Sequence, residues 1–178
     1  MPEHSPNKPL LKPSHPRHLS PGSTYKTLHG ICCSCLGERR PSDTISDPGY
    51  FLLDNHRFRD SKPEGHGTVD MKKSIVVSSD TYYYKLAFDM GVDKIFQAHL
   101  AVCFGALTGI DIDGEVAGIL PSTSWKKKRF GKDWFPGETP SIGIGQRLQR
   151  LHHAAAGPRH CRHCQRRSTG HATFGEAN

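Results

Sequence analysis

No run of eighteen apolar residues occurs anywhere in the 178-residue chain, so no membrane-spanning helix is written in it. Nor does the N-terminus carry the apolar stretch of a signal peptide, so the chain as written is expected to stay inside the cell. Hydrophobic residues make up 35%, and mean hydropathy is −0.57. Both values are low for a domain of this length, so a core filling the whole chain is not expected. The apolar residues gather between Val69 and Pro121. The cysteines, at 32, 33, 35, 103, 161 and 164, lack the regular spacing of a disulfide framework. No internal repeat is present.

What is abundant is positive charge. The formal net charge is +7, a balance that favours anionic partners such as nucleic acid or phospholipid surfaces. The charge is patchy. One cluster is Lys126–Arg129, and a second is the arginine-rich tail after Gln146, while the middle of the chain is nearly balanced.

Residues 1–22 hold six of the thirteen prolines and no periodic apolar pattern, which predicts an extended or disordered arm. Ser23 can open a helix whose first turn includes Lys26. Turn formers fill 41–67, with strand-like runs at Tyr50–Leu53 and His56–Arg59. Val69–Val77 reads as a helix. A second helix follows Asp80, with Tyr83, Leu86, Ala87 and Met90 on one face. A third starts after Gly91, with Val92, Ile95, Phe96, Leu100 and Cys103 as its inner stripe. Recurrent glycine and proline between Gly105 and Gln146 predict loops with short strands, and the pattern is lost after Gln146.

Two short motifs carry chemistry. Ser23-Thr24-Tyr25-Lys26 is an S-x-x-K, and residues three apart on a helix share a face. A serine hydroxyl becomes a good nucleophile when a neighbouring base takes its proton, and a neutral lysine can be that base. The helix start also offers backbone N–H groups to an oxyanion. By itself the tetrapeptide is a weak signal, because an ordinary helix cap followed by a solvated lysine looks the same. Ser78-Ser79-Asp80 lies between two predicted helices, where it can project into a cleft; Asp80 would also serve as an N-cap.

The surrounding text makes these motifs specific. Val69–Tyr84, Asp47-Pro48-Gly49-Tyr50-Phe51, Thr108-Gly109-Ile110-Asp111, Trp134-Phe135-Pro136-Gly137-Glu138-Thr139 and Gly143-Ile144-Gly145-Gln146 follow one another in order. Together they resemble the transpeptidase domain of the penicillin-binding protein 2 family, the cell-elongation enzymes of Gram-negative bacteria. The resemblance covers Ser20–Lys26 and Gly37–Gln146. It implies a penicillin-binding D,D-transpeptidase of peptidoglycan synthesis, working through a serine acyl-enzyme without cofactor or metal. Ser23 would attack a D-Ala–D-Ala stem peptide or a β-lactam, Lys26 would be the base, and Ser78 would relay a proton. Asp80 would stand where many relatives have asparagine. Partners by family are the stem peptide, β-lactams and membrane proteins of the elongation complex, with no specific nucleic acid. The family works on the periplasmic face of the inner membrane.

The family's third motif, Lys-Thr/Ser-Gly on a strand, is absent. Ser168-Thr169-Gly170 is a poor substitute, lacking the lysine. That strand normally supplies an oxyanion donor, and losing one donor typically costs about 2.7–4 kcal/mol, so penicillin labelling of this chain is expected to fail. Plausible codons for Leu148–Arg167, read one base out of phase, give Tyr-Asn-Ala-Tyr-Thr-Thr-Leu-Gln-Leu-Ala, the family's continuation after Gln146. The same shift over Thr27–Cys35 gives Pro-Phe-Met-Ala-Phe-Ala-Ala-Leu. Single-base insertions or deletions in the DNA at these points are the hypothesis, and an intact frame on re-sequencing refutes it. Cys32, Cys33 and Cys35 then stand where small apolar residues are expected, and His29 and Gly30 should weaken the helix that bears Ser23.

The expected fold is therefore α+β: a partial serine penicillin-recognising (β-lactamase/transpeptidase-like) domain, helical part present and most of the central antiparallel sheet missing. The expected organisation is a disordered arm at 1–19, the partial domain at 20–146 and an irregular Arg/His-rich tail at 147–178. The alternative is a small basic metal- or nucleic-acid-binding protein. It would use Cys32, Cys33, Cys35 and the His160-Cys161-Arg162-His163-Cys164 cluster, whose spacing fits no standard zinc knuckle.

Overall fold

A computed structural model of the chain describes residues 21–107 and 117–146. The arm at 1–19, the tail at 147–178 and Thr108–Asp111 lie outside the described residues, as do His160, Cys161, His163 and Cys164.

The described chain runs α1 (Thr24–Cys35), β1 (Ile45–Asp47), β2 (Tyr50–Leu53), β3 (His56–Arg59), β4 (Gly67–Val69), α2 (Met71–Val76), α3 (Asp80–Met90), α4 (Val92–Ala101), α5 (Thr123–Phe130), a 3-10 turn (Pro136–Glu138) and α6 (Thr139–Gly143). The strands form two antiparallel pairs. β1 pairs with β4, Ile45 opposite Val69, and between them β2 and β3 make a hairpin with Tyr50 opposite Arg59. Helices and small antiparallel ladders together give the α+β class, with no larger sheet among the described residues.

α3 is the central element. Its inward face buries Tyr82, Tyr83, Leu86, Ala87 and Met90 against Val69, Met71, Ile95, Ile142 and Ile144. The i, i+3, i+4, i+7 stripe read from sequence is thus the core face. α6 lies against α3 because Gly143 has no side chain: a Cβ there would sit 2.3 Å from the Tyr83 carbonyl oxygen. Two positions further on, Gly145 (φ +71) packs on the turn that opens α1, where a Cβ would fall 2.5 Å from the Gly22 carbonyl oxygen. The Gly22 N–H donates to the Gly145 carbonyl across the same contact.

Three expectations change. The helix read as Val69–Val77 begins at Met71. Val69 ends β4 instead, fully buried opposite Ile45, and Asp70 caps α2 by accepting from the Lys73 N–H. The buried face of α4 runs through Val92, Ile95, Ala98 and His99, whereas Leu100 is 51% exposed. Cys103 lies past the helix end at φ 63. Hydrophobicity favoured Leu100 over His99, but the helix phase set by Val92 and Ile95 points position 99 inward. The described part of 105–146 holds helices rather than strands. The residues read as loop formers are helix boundaries: Ser122 caps α5 by accepting from the Trp125 N–H, Gly131 ends it in the left-handed region, and Pro140 lies in the first turn of α6. The helix in which His29 and Gly30 are expected to be weak points, α1, includes both residues. Both are buried, Gly30 beside the Tyr83 hydroxyl and Met71.

Candidate functional site

The corner between α2 and α3 is built from three consecutive polar residues, each with a backbone task. The Ser79 N–H donates to the Ser74 carbonyl and the Ser78 N–H to the Ile75 carbonyl. That pair of bonds is the Schellman ending of α2, with Ser78 in the position that usually needs glycine. Ser78 accordingly has φ 54. A left-handed conformation costs a residue with a side chain of order 1–3 kcal/mol, and such strain gathers at functional sites. Ser79 then caps α3, its hydroxyl accepting from the Tyr82 N–H. Asp80, read from sequence as a possible cap, is instead the first residue of the helix.

Lys26 reaches this corner from α1. Its Nζ donates to the Ser78 carbonyl oxygen at 2.8 Å, to Ser78 Oγ at 2.9 Å and to Asp80 Oδ1 at 2.6 Å. An ammonium group has three N–H donors and no acceptor, and here each donor has its acceptor. The side chain of Lys26 is 4% exposed and that of Asp80 19%, so both charges are largely withdrawn from water. Burial pushes the Asp80 carboxyl up from the ordinary carboxylate range, against the pull of Lys26.

Ser23 occupies the N-cap position of α1, exposed at the mouth of the site. Its hydroxyl makes no cap bond, and among the described residues it has no hydrogen-bond partner; Lys26 Nζ is turned to Ser78 and Asp80. The structure therefore brings Lys26, Ser78 and Asp80 into contact and leaves Ser23 one helical turn away on the same helix.

Two buried carboxylates hold the corner from behind. Asp47, at the end of β1, accepts from Ser79 Oγ at 2.7 Å, the Gly49 N–H at 2.8 Å and His66 Nδ1 at 2.9 Å. Asp60, just after β3, accepts from the Thr81 N–H at 2.8 Å. Burial alone would raise both carboxyls, but hydrogen bonds from Ser79, Gly49 and His66 hold Asp47 below its ordinary value, and those from Thr81, Ser61 and Lys62 do the same for Asp60. Ligand atoms of Asp47, Asp60 and His66 lie within 4.8 Å of one another. Two carboxylates and an imidazole are a donor set that a divalent cation could also take. None of these three was singled out in the sequence. The signal available was the Asp-Pro-Gly turn at the close of β1, but 13 to 19 residues separate Asp47 from its partners, and their meeting depends on how β1–β4 enclose the hairpin. The cysteines proposed as metal ligands do not assemble this way: Cys32 and Cys33 are buried in the core and Cys35 is exposed.

A lysine amine one turn into a helix, facing a left-handed serine and a carboxylate at a helix–helix corner, can chemically serve serine–lysine acyl transfer. The family model for the penicillin binding protein transpeptidase domain matches residues 5–154. The chain is 40% identical over 141 residues to the peptidoglycan D,D-transpeptidase MrdA of Haemophilus influenzae, and 44% over 128 residues to that of Acinetobacter baumannii. Those alignments cover 78% and 71% of this chain but 22% and 19% of the relatives, so the chain spans about a fifth of their length. Among solved structures, penicillin-binding protein 2 of Helicobacter pylori superposes with a TM-score of 0.73 at 34% identity, covering 80% of this chain and 27% of that one. The chain belongs to the penicillin-binding protein transpeptidase family, and its fold is part of that domain.

Proposed function

We propose that residues 20–146 are the nucleophile-bearing part of a peptidoglycan D,D-transpeptidase, in which Ser23 forms the acyl-enzyme. The observation that carries the reading is the placement of Lys26 Nζ between Ser78 Oγ and Asp80 Oδ1. Ser23 lies one turn earlier on α1, so a side-chain rotation of Lys26 brings its amine to the Ser23 hydroxyl. Ser78 Oγ accepts from Lys26, which leaves its own proton free to pass to the leaving nitrogen. The acyl group then passes to an amine of a neighbouring stem peptide. The reading gives no support to the metal- or nucleic-acid-binding alternative, because the matched sequence and the matched fold are those of a transpeptidase.

Residues 1–178 contain no Lys-Thr-Gly sequence. One lost oxyanion donor lowers a rate by about 10²–10³. The missing motif alone predicts that labelling fails; with Lys26, Ser78 and Asp80 assembled, the expectation changes to slow acylation rather than none. The test is covalent labelling of the full chain by a fluorescent penicillin over hours. Labelling that disappears in Ser23→Ala is the expected result; equal labelling of wild type and Ser23→Ala, or none in either, rejects the reading.

A solved structure pairs the Helicobacter pylori relative with MreC. By the same reading, proteins of the elongation machinery are the partners of the protein this chain represents, and its working place is the periplasmic face of the inner membrane. Among the described residues no helix is long and apolar enough to cross a membrane.

A further inference from the structure

We propose that Asp80 is the proton acceptor that frees the Lys26 amine, so that the base of the site is the Lys26–Asp80 pair rather than the lysine alone. This rests on the acyl-transfer reading above.

With all three N–H donors committed, Lys26 is an ammonium and has no lone pair to offer Ser23. It must first lose a proton, and of its three acceptors only Asp80 Oδ1 can keep one. Its contact, 2.6 Å, is the shortest of the three. The groups that face Asp80 favour that transfer. Burial favours the neutral carboxyl, and Asp60 and Asp47, behind the Ser79 hydroxyl, repel the Asp80 charge in the same direction. Lys26 is the opposing cation. A substrate that covers the cleft removes the remaining water, and in a dry site two neutral partners become competitive with two charged ones.

The proton balance closes. One Nζ–H proton moves to Asp80 Oδ1, leaving an amine and a carboxyl. The amine takes the Ser23 proton as Ser23 Oγ bonds to the lactam carbonyl carbon. When the lactam C–N bond breaks, the nitrogen leaves with the Ser78 hydroxyl proton. Lys26 restores that proton to Ser78, and Asp80 returns its own to Lys26. The nitrogen has gained one proton, Ser23 has lost one, and every other group is as it began.

Asp80→Asn separates this role from simple positioning, because the amide oxygen can still accept from Nζ but cannot take the proton. The experiment follows fluorescent-penicillin acylation of the full chain from pH 7 to 10 in wild type, Asp80→Asn and Ser23→Ala. Transfer inside the pair is pH-neutral, so the wild-type rate should be flat. Asp80→Asn must lose its proton to solvent. Its rate should fall by about 10² at pH 7, then climb with rising pH toward the wild-type rate. A flat Asp80→Asn profile, whether at wild-type rate or uniformly lower, overturns the proposal while leaving the acyl-transfer reading intact. Absence of Ser23-dependent labelling in wild type overturns both.

Discussion

Acidification from pH 7 to 4.5 should loosen α1 from α4, and the reason lies in two buried imidazoles. His29 of α1 and His99 of α4 stack at 5.4 Å between ring centroids, with Tyr25 stacked on both. Both histidines are fully buried, and among the described residues neither Nε2 has a hydrogen-bond partner. His99 Nδ1 donates to the Ile95 carbonyl at 2.6 Å, so a second proton would have to go on Nε2. Burial pushes His99 down to about 4. Burial, reinforced by the neighbouring His99, also drives His29 well below its ordinary value. The folded state therefore keeps both rings neutral, whereas the unfolded chain protonates them near pH 6.5. Stability is constant above about pH 6.5, falls as the unfolded state gains protons, and levels off below the folded value near 4. Between pH 6.5 and 4.5 His99 alone accounts for about 2 kcal/mol, a large part of the ~5–15 kcal/mol typical of a domain; His29 acts with the same sign. Asp47 and Asp60 work in a lower window. Their depressed carboxyls support the fold above about pH 4 and lose that support only as pH falls through the folded values. Urea unfolding of the full chain, followed by fluorescence of Trp125 and Trp134, measures the slope. His99→Asn keeps a donor for the Ile95 carbonyl and should remove about 2 kcal/mol of the pH dependence. A wild-type stability that changes by less than about 1 kcal/mol between pH 7 and 4.5, or an unaltered slope in His99→Asn, would refute this account.

Two further expectations concern packing at the corner. Ser79→Ala removes both the cap of α3 and the hydroxyl donor to buried Asp47; it should cost about 3 kcal/mol in urea unfolding, from roughly 1 for a cap and 1.5–3 for a bond to a charge, and a loss under about 1 kcal/mol would disprove the clamp. Gly143→Ala places a methyl 2.3 Å from the Tyr83 carbonyl oxygen and 2.7 Å from Ala87 Cβ; α6 must then lift from α3 at about 1–3 kcal/mol, and a neutral outcome in the same assay would show that α6 has room to move.

Much of the architecture is local and was readable without coordinates. The β2–β3 hairpin, the start of α1 at Ser23 and the inner face of α3 follow from turn chemistry and apolar period, because each depends on neighbours within a few residues. The family was also legible, because the segments Asp47–Phe51, Val69–Tyr84, Trp134–Thr139 and Gly143–Gln146 follow in order and make the weak Ser23-x-x-Lys26 motif specific. Helix phase and helix ends were less legible. His99 is inward and Leu100 outward because the turn of α4 was set by Val92 and Ile95, against hydrophobicity. The glycines and prolines of the last segment delimit helices rather than strands, a choice settled by α6 docking on α3 through Gly143.

The sequence alone determined which groups are available for chemistry: a serine and a lysine one turn apart, and a second serine ahead of an acid. Tertiary structure alone decided that Lys26 meets Ser78 and Asp80 across 52 and 54 residues, that Ser78 is held left-handed, and that Asp47, Asp60 and His66 converge behind Ser79. Those contacts join segments far apart in the chain. No local propensity encodes them, and the shared burial of α1, α3 and the strand pairs brings them together.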